Sequence, residues 1–294
     1  MEQQQGQTVV ITGGTGGIGF HSALGIARTG ARVIVTGRNR ERGEQARARL
    51  IEESGHEHVD FVVGDLSSLQ GIDALADDLM DRAPRIDVLV NNAGYLGNEP
   101  QTSPDGVEMH FAVNVLAPWR LTHALLPALE SSGDARVVNV TGGDKPAAID
   151  VENLQAEKGF RGLMTYTHSK SVLESMSMVM SERLFAHGVS VNVVFPGRAS
   201  TNMTRSMKGS ALPGVMKVML PFFRLFFAED GGKSAAKAAR STIWAATSPE
   251  LKGVSGHYYD THSQEQPLHP TAYDASVQEH IVATLRQVTG PGDR

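Results

Sequence analysis

Apolar and polar positions alternate along this chain in two rhythms. Short β-branched runs at Thr8–Thr12, Arg32–Thr36, Val59–Gly64, Ile86–Val90, Arg136–Thr141 and Val189–Phe195 are apolar at nearly every position, the pattern of strands buried on both faces of a sheet. Segments between them, such as Arg40–Ser54 and Leu69–Arg82, distribute charges around apolar stripes. Helices that cover a parallel sheet have this pattern. Val254–Asp260 reads as a final strand and Thr271–Val288 as a terminal helix. The predicted fold class is α/β, a doubly wound, mostly parallel sheet of about seven strands flanked by helices. No linker or internal repeat divides the chain, so residues 1–294 are read as a single domain.

The rhythm breaks between Ser200 and Ala228. Val215–Phe227 is dense in Met, Leu and Phe but interrupted by Lys217, Pro221 and Arg224. This stretch, around 200–228, reads as a lid over an apolar substrate. An insertion helix packed on the core is the alternative, and a peripheral membrane helix a more remote one.

Composition narrows the picture by exclusion. A formal net charge of -5 with mixed signs leaves no electrostatic footprint for nucleic acid or an anionic membrane. With no cysteine there are no disulfides, thiolate metal sites or thiol nucleophile. His21, His110, His123 and His168 show no ligand spacing joined to carboxylates, so no metal is expected. Met1–Gln7 is polar, and no run approaches about 18 apolar residues, so a cytoplasmic protein without stable membrane insertion is expected.

The chemistry starts where the first strand meets the first helix. Thr12-Gly13-Gly14-Thr15-Gly16-Gly17-Ile18-Gly19 brings Gly13, Gly17 and Gly19 to a turn where a pyrophosphate can approach backbone N–H groups at a helix N-terminus. Three residues separate the first two of these glycines, rather than the one of the commoner dinucleotide fingerprint. After the second strand, Gly37 offers no carboxylate to a ribose, whereas Arg38 offers a planar cation suited to a 2′-phosphate. NADP(H) is therefore the expected cofactor, with Thr15 and Ile18 in the cradle. Asp65 and Leu66 after the third strand, and Asn92, Ala93 and Gly94 after the fourth, fall at the carboxyl ends of strands where such sheets bind ligands.

Tyr166 and Lys170 lie four apart, on one helical face. An adjacent ammonium and a cationic nicotinamide favour a phenolate, bringing Tyr166 closer to the working range of a general acid/base. With these motifs in view, the chain resembles the short-chain dehydrogenase/reductase family, specifically its retinol-dehydrogenase-like and protochlorophyllide-reductase-like branch. The resemblance spans nearly the whole chain: the glycine motif, Asn91-Asn92-Ala93-Gly94, Asn114, Tyr166, Lys170, Pro196-Gly197, Asn153-Leu154 and Ala246–Gly256. It implies a Rossmann-type fold, a proton-relay water anchored by Asn114, a nicotinamide ribose bound by Lys170, and a carboxamide contact from Thr201. Pro196 and Gly197 join the cofactor site, and a homodimer or homotetramer is implied. Met176, Met178 and Met180 are read as filling either the core or a subunit interface.

One position departs from the family. Gly142 stands where members carry a serine that hydrogen-bonds the substrate oxygen. Loss of such a donor typically removes about 10²–10³ in rate. Thr141, Asp144 and a bound water are the candidate substitutes. The leading expectation is NADP(H)-dependent hydride transfer at a carbonyl or alcohol of an apolar small molecule. A non-redox cyclase, isomerase or dehydratase is the alternative, and an NADP(H)-sensing scaffold is a third.

Overall fold

A computed structural model describes residues 4–142, 146–197 and 232–290. Within them the strands are β1 (Thr8–Ile11), β2 (Arg32–Gly37), β3 (Val59–Val63), β4 (Val88–Asn91), β5 (Ala135–Val140), β6 (Val189–Val194) and β7 (Tyr258–Tyr259). They form one sheet in the order β3-β2-β1-β4-β5-β6-β7, parallel at every pairing among the described residues. The chain runs outward from β1 to β3, then returns to place β4 on the other side of β1. That reversal opens a crevice at the carboxyl ends of β1 and β4, where sheets of this kind bind ligands.

The helices are α1 (Gly17–Ala27), α2 (Arg40–Ser54), α3 (Leu69–Arg82), α4 (Met109–Phe111), α5 (Ala117–Ala124), α6 (Leu126–Glu130), α7 (Gly162–Phe185), α8 (Lys233–Thr247) and α9 (Ala275–Thr289). The period of two along each strand divides the core between two layers. Val10, Ile34, Leu89, Val137 and Val191 point into one, against α3, α5, α7 and α9. Val9, Ile11, Val33, Val35, Val90 and Val138 point into the other, against α1, α2 and α8. Both layers being buried explains why the strands read as continuous apolar runs. Each such side chain contributes roughly 1.5–3 kcal/mol of burial.

Three sequence expectations are adjusted. The last strand was expected over Val254–Asp260, but only Tyr258 and Tyr259 pair with β6. The residues before them attach through a mixture of main-chain and side-chain bonds: Gly256 N donates to Val191 O and Val193 N to His257 O, Ser255 Oγ accepts from Val191 N, and Asn192 donates to Val254 O and accepts from His257 N. The terminal helix expected over Thr271–Val288 is split into a 3₁₀ turn at Pro270–Tyr273 and α9. Asp274 forces the break by capping α9, its carboxylate accepting from Ser276 N and Val277 N. Met176, Met178 and Met180 are buried within the chain's own core, so they resolve to core rather than interface.

The end of the chain closes on α7. Ile281, Val282 and Leu285 of α9 are buried with Val172, Met176 and Met180 of α7, and Ser175 Oγ donates to the Ala272 carbonyl at 3.0 Å. Among the described residues, no helix is long and apolar enough to cross a membrane.

Candidate active site

Thr12, at the end of β1, stitches the crevice together. Its hydroxyl accepts from Asn92 N at 3.1 Å and Ala93 N at 3.0 Å, and Asn92 Nδ2 returns a bond to the Thr12 carbonyl at 2.9 Å. Gly13 turns with φ +67°, and a β-carbon there would sit 3.0 Å from Ala93 Cα, so the position takes glycine on both counts. Gly16 then caps α1 without a side-chain hydrogen bond, and no acidic residue occupies the first turn. The N-terminal N–H groups of α1 and its positive dipole end are thus turned to an anion rather than to a local cap.

The resulting cleft has a volume of about 380 Å³. Gly13, Thr15, Gly17, Ile18, Gly19, Arg38, Asp65, Leu66, Asn92, Ala93 and Gly94 all line it, so the structure brings together the nucleotide-binding residues expected from the first four strands. A nicotinamide dinucleotide fits the donors present: main-chain N–H groups for the pyrophosphate, and cations beyond β2. Sequence reasoning missed one of these cations. Arg42, in the first turn of α2, lines the same cleft as Arg38, its N–H held by the Asn39 side-chain cap at 2.9 Å. The Arg-x-x-x-Arg spacing across a helix start was the available signal.

Gly94 joins this cleft to the second half of the site. A β-carbon on Gly94 would stand 3.4 Å from Asn114 Oδ1 and 3.7 Å from Lys170 Nζ. Asn114 lies in a π-helical stretch, Ala112–Leu116, between α4 and α5. Pro118, four residues on, has no N–H to give the Asn114 carbonyl, and the helix widens there. The Asn114 side chain is fully engaged: Oδ1 accepts from Tyr95 N at 2.8 Å, and Nδ2 donates to Tyr95 O and to Ser169 Oγ. It therefore ties the loop after β4 to α7.

Tyr166 and Lys170 are 8 % and 3 % exposed. Lys170 Nζ donates to the Val140 carbonyl at 3.0 Å and lies 6.0 Å from the Tyr166 ring centre. In the protein alone, without the nicotinamide charge that the expected phenolate also draws on, burial sets the protonation of both groups. Burial pushes Tyr166 up to about 12 and brings Lys170 down to about 8. Desolvation dominates at both groups, opposed at Lys170 by the charge of Glu174, and Tyr166 holds its proton firmly at neutral pH.

Two positions at the end of β5 change the sequence picture. Thr141, a candidate for the missing hydroxyl, donates instead to Glu174 Oε1 at 2.6 Å. Glu174 is itself a buried carboxyl group that sequence reasoning passed over, though its spacing of four from Lys170 was legible. Gly142 is more than a deletion of the serine. A β-carbon at Gly142 would coincide with the Tyr166 hydroxyl, so Tyr166 fills the space a side chain would need. Pro196 and Gly197 follow β6, with Gly197 packed against Thr261. Thr201, Asp144 and the expected lid at 200–228 lie outside the described residues.

A doubly wound parallel sheet with this cleft, and with a buried tyrosine and lysine beside it, defines a nicotinamide-dependent enzyme class. Residues 7–210 match the family model for short chain dehydrogenases. The chain is 35% identical to retinol dehydrogenase 14 of Mus musculus, over 94% of this chain and 84% of the relative. It is 31% identical to polyprenol dehydrogenase of Homo sapiens, over 97% and 85%. Among solved structures, an uncharacterized protein from Mycobacterium paratuberculosis superposes with a TM-score of 0.75, 25% identity, and coverage of 98% of this chain and 95% of that one. A Pseudomonas aeruginosa RhlG/NADP complex gives a TM-score of 0.64 at 27% identity, covering 88% and 95%. The chain belongs to the short-chain dehydrogenase/reductase family, in its retinol-dehydrogenase-like branch, and is an enzyme of the dehydrogenase/reductase class.

Proposed function

We propose that this enzyme is an NADP(H)-dependent oxidoreductase interconverting a carbonyl and an alcohol on an apolar small molecule, with Tyr166 exchanging the oxygen's proton. The observation that carries the reading is the continuity at Gly94 between the nucleotide cleft and the buried Tyr166–Lys170 pair. Bound nicotinamide supplies or accepts hydride at the substrate carbon. The protein's own groups do the rest. Tyr166, neutral at pH 7, donates its proton to a developing alkoxide, and the Lys170 ammonium stabilises the phenolate left behind. Burial keeps water from that transfer.

Two arginines in the cleft, Arg38 and Arg42, favour the 2′-phosphorylated cofactor, and Gly37 supplies no competing carboxylate. The names of the retinol and polyprenol dehydrogenase relatives point to long apolar alcohols or their carbonyl forms. Cofactor contacts from Pro196, Gly197 and Thr201 belong to the same reading, as does assembly into a homodimer or homotetramer, which light scattering measures directly.

A second reading is favoured by one observation. With Tyr166 filling the space beside Gly142, the serine-type donor is missing, which suits acid/base chemistry without net redox: a cyclase, isomerase or dehydratase. Incubating the enzyme with NADPH and a panel of apolar aldehydes and ketones separates the two. Loss of nicotinamide absorbance with each substrate, abolished in Tyr166→Phe, is expected. Substrate conversion without cofactor consumption would replace the first reading by the second, and full activity in Tyr166→Phe would remove the tyrosine's role.

A further inference from the structure

Consecutive residues at the end of β5 hold two side chains of α7. The Val140 carbonyl accepts from Lys170 Nζ at 3.0 Å, and Thr141 Oγ1 donates to Glu174 Oε1 at 2.6 Å. Tyr166, Lys170 and Glu174 follow one another at intervals of four, so they stack along one face of α7. Glu174 is 3 % exposed. A carboxyl group at such depth is costly to charge without a partner, and the stretch Ser171–Met180 around it otherwise holds apolar residues and serines. The groups facing Glu174 are Lys170 from its own helix, Thr141 just after β5 and the Tyr258 phenol from β7.

We propose that Glu174 is a positioning residue for the acid/base pair: anchored by Thr141, its carboxylate one helical turn from Lys170 supplies the counter-charge that keeps this buried lysine an ammonium. The proposal rests on the reading of Tyr166 and Lys170 given above. Burial brings Lys170 down to about 8, and the charge of Glu174 is what opposes that fall. Burial likewise lifts Glu174 to about 7, opposed by the Thr141 hydrogen bond and by Lys170. Each charge therefore depends on the other between these values. The Thr141 bond also fixes the carboxylate against the strand that carries the Lys170 acceptor, so geometry and charge act on the same ammonium.

Glu174→Gln tests this because it keeps a carbonyl oxygen for Thr141 while removing the charge. In the ligand-free protein, the Lys170 side-chain ¹³Cε resonance, identified by its absence in Lys170→Arg, should titrate about one pH unit lower in Glu174→Gln than in the wild type. NADPH turnover should follow: nearly intact at pH 6, but down about fivefold at pH 8. Glu174→Asp should retain most of the wild-type midpoint, and Thr141→Val should move it in the same direction as Gln but less far. An unmoved Lys170 titration, an equal loss at every pH, or an aspartate variant as impaired as the glutamine one would overturn the proposal. Tyr166→Phe assayed in parallel separates the two claims. If it stays fully active, the acid/base reading fails, while the lysine titration still decides what Glu174 does.

Discussion

At Gly142 the side chain that is missing matters less than the group occupying its place. Because the Tyr166 hydroxyl stands where a β-carbon would go, Gly142→Ser is expected not to restore a family-like donor but to displace the tyrosine. Reductase kcat should fall by about a hundred- to a thousandfold, on the scale of losing one preorganised donor. The circular dichroism spectrum should be unchanged, and a gain in rate would contradict this geometry. Arg38 and Arg42 make a second prediction at this scale. Each charge-assisted contact to a 2′-phosphate contributes about 1.5–3 kcal/mol, so Arg38→Ala or Arg42→Ala should raise Kd for NADPH by roughly ten- to a hundredfold. Binding of NADH should change little, as read by nucleotide fluorescence. Arg38 was visible in the sequence because it follows a strand end directly. Arg42 was not, because its relevance depends on how α2 leaves the sheet. Thr141 and Glu174 are 33 residues apart. Their pairing follows from how β5 packs against α7, which a pattern of apolar positions does not encode.

Secondary elements were more legible than side-chain pairings. The first six strands lie within a residue or two of their apolar runs, since a strand buried on both faces leaves little freedom in its composition. β7 and α9 shifted because side-chain hydrogen bonds from Asn192, Ser255 and Asp274 intervened where local pattern predicted continuity. The π-helical stretch Ala112–Leu116 was invisible to a period of 3.6, although Pro118 announces a missing donor. Pro118→Ala supplies that N–H and lets the turn tighten. Thermal melting should then rise by roughly 1–4 °C, while kcat falls as Asn114 moves with the tightened turn. Calorimetry and steady-state rates on the same preparation check both halves.

The whole molecule carries its buried charges as a dependence of stability on pH. Glu174 has a folded value of about 7, raised above the ordinary carboxyl range. Its contribution is therefore most favourable below that ordinary range and is lost as pH rises toward 7. Lys170 is depressed to about 8, so its contribution is complete only above the ordinary lysine range and is lost as pH falls toward 8. Near neutrality both costs are present together. Relative to the wild type, Glu174→Gln should gain roughly 1–3 kcal/mol in unfolding free energy between pH 5 and pH 7.5. Urea denaturation at the two pH values measures this, and a difference that stays constant would mean Glu174 does not titrate in that window.

The grip of α9 on α7 has a consequence in time. Ile281, Val282 and Leu285 complete the layer behind the helix that bears Tyr166, and Ala272 anchors Ser175 on that same helix. During synthesis, the nucleotide cleft is encoded early, but the layer behind the helix that bears Tyr166 cannot close until α9 has left the ribosome. A nascent chain halted after β6 would thus hold the cofactor cradle well before it acquired the chemistry.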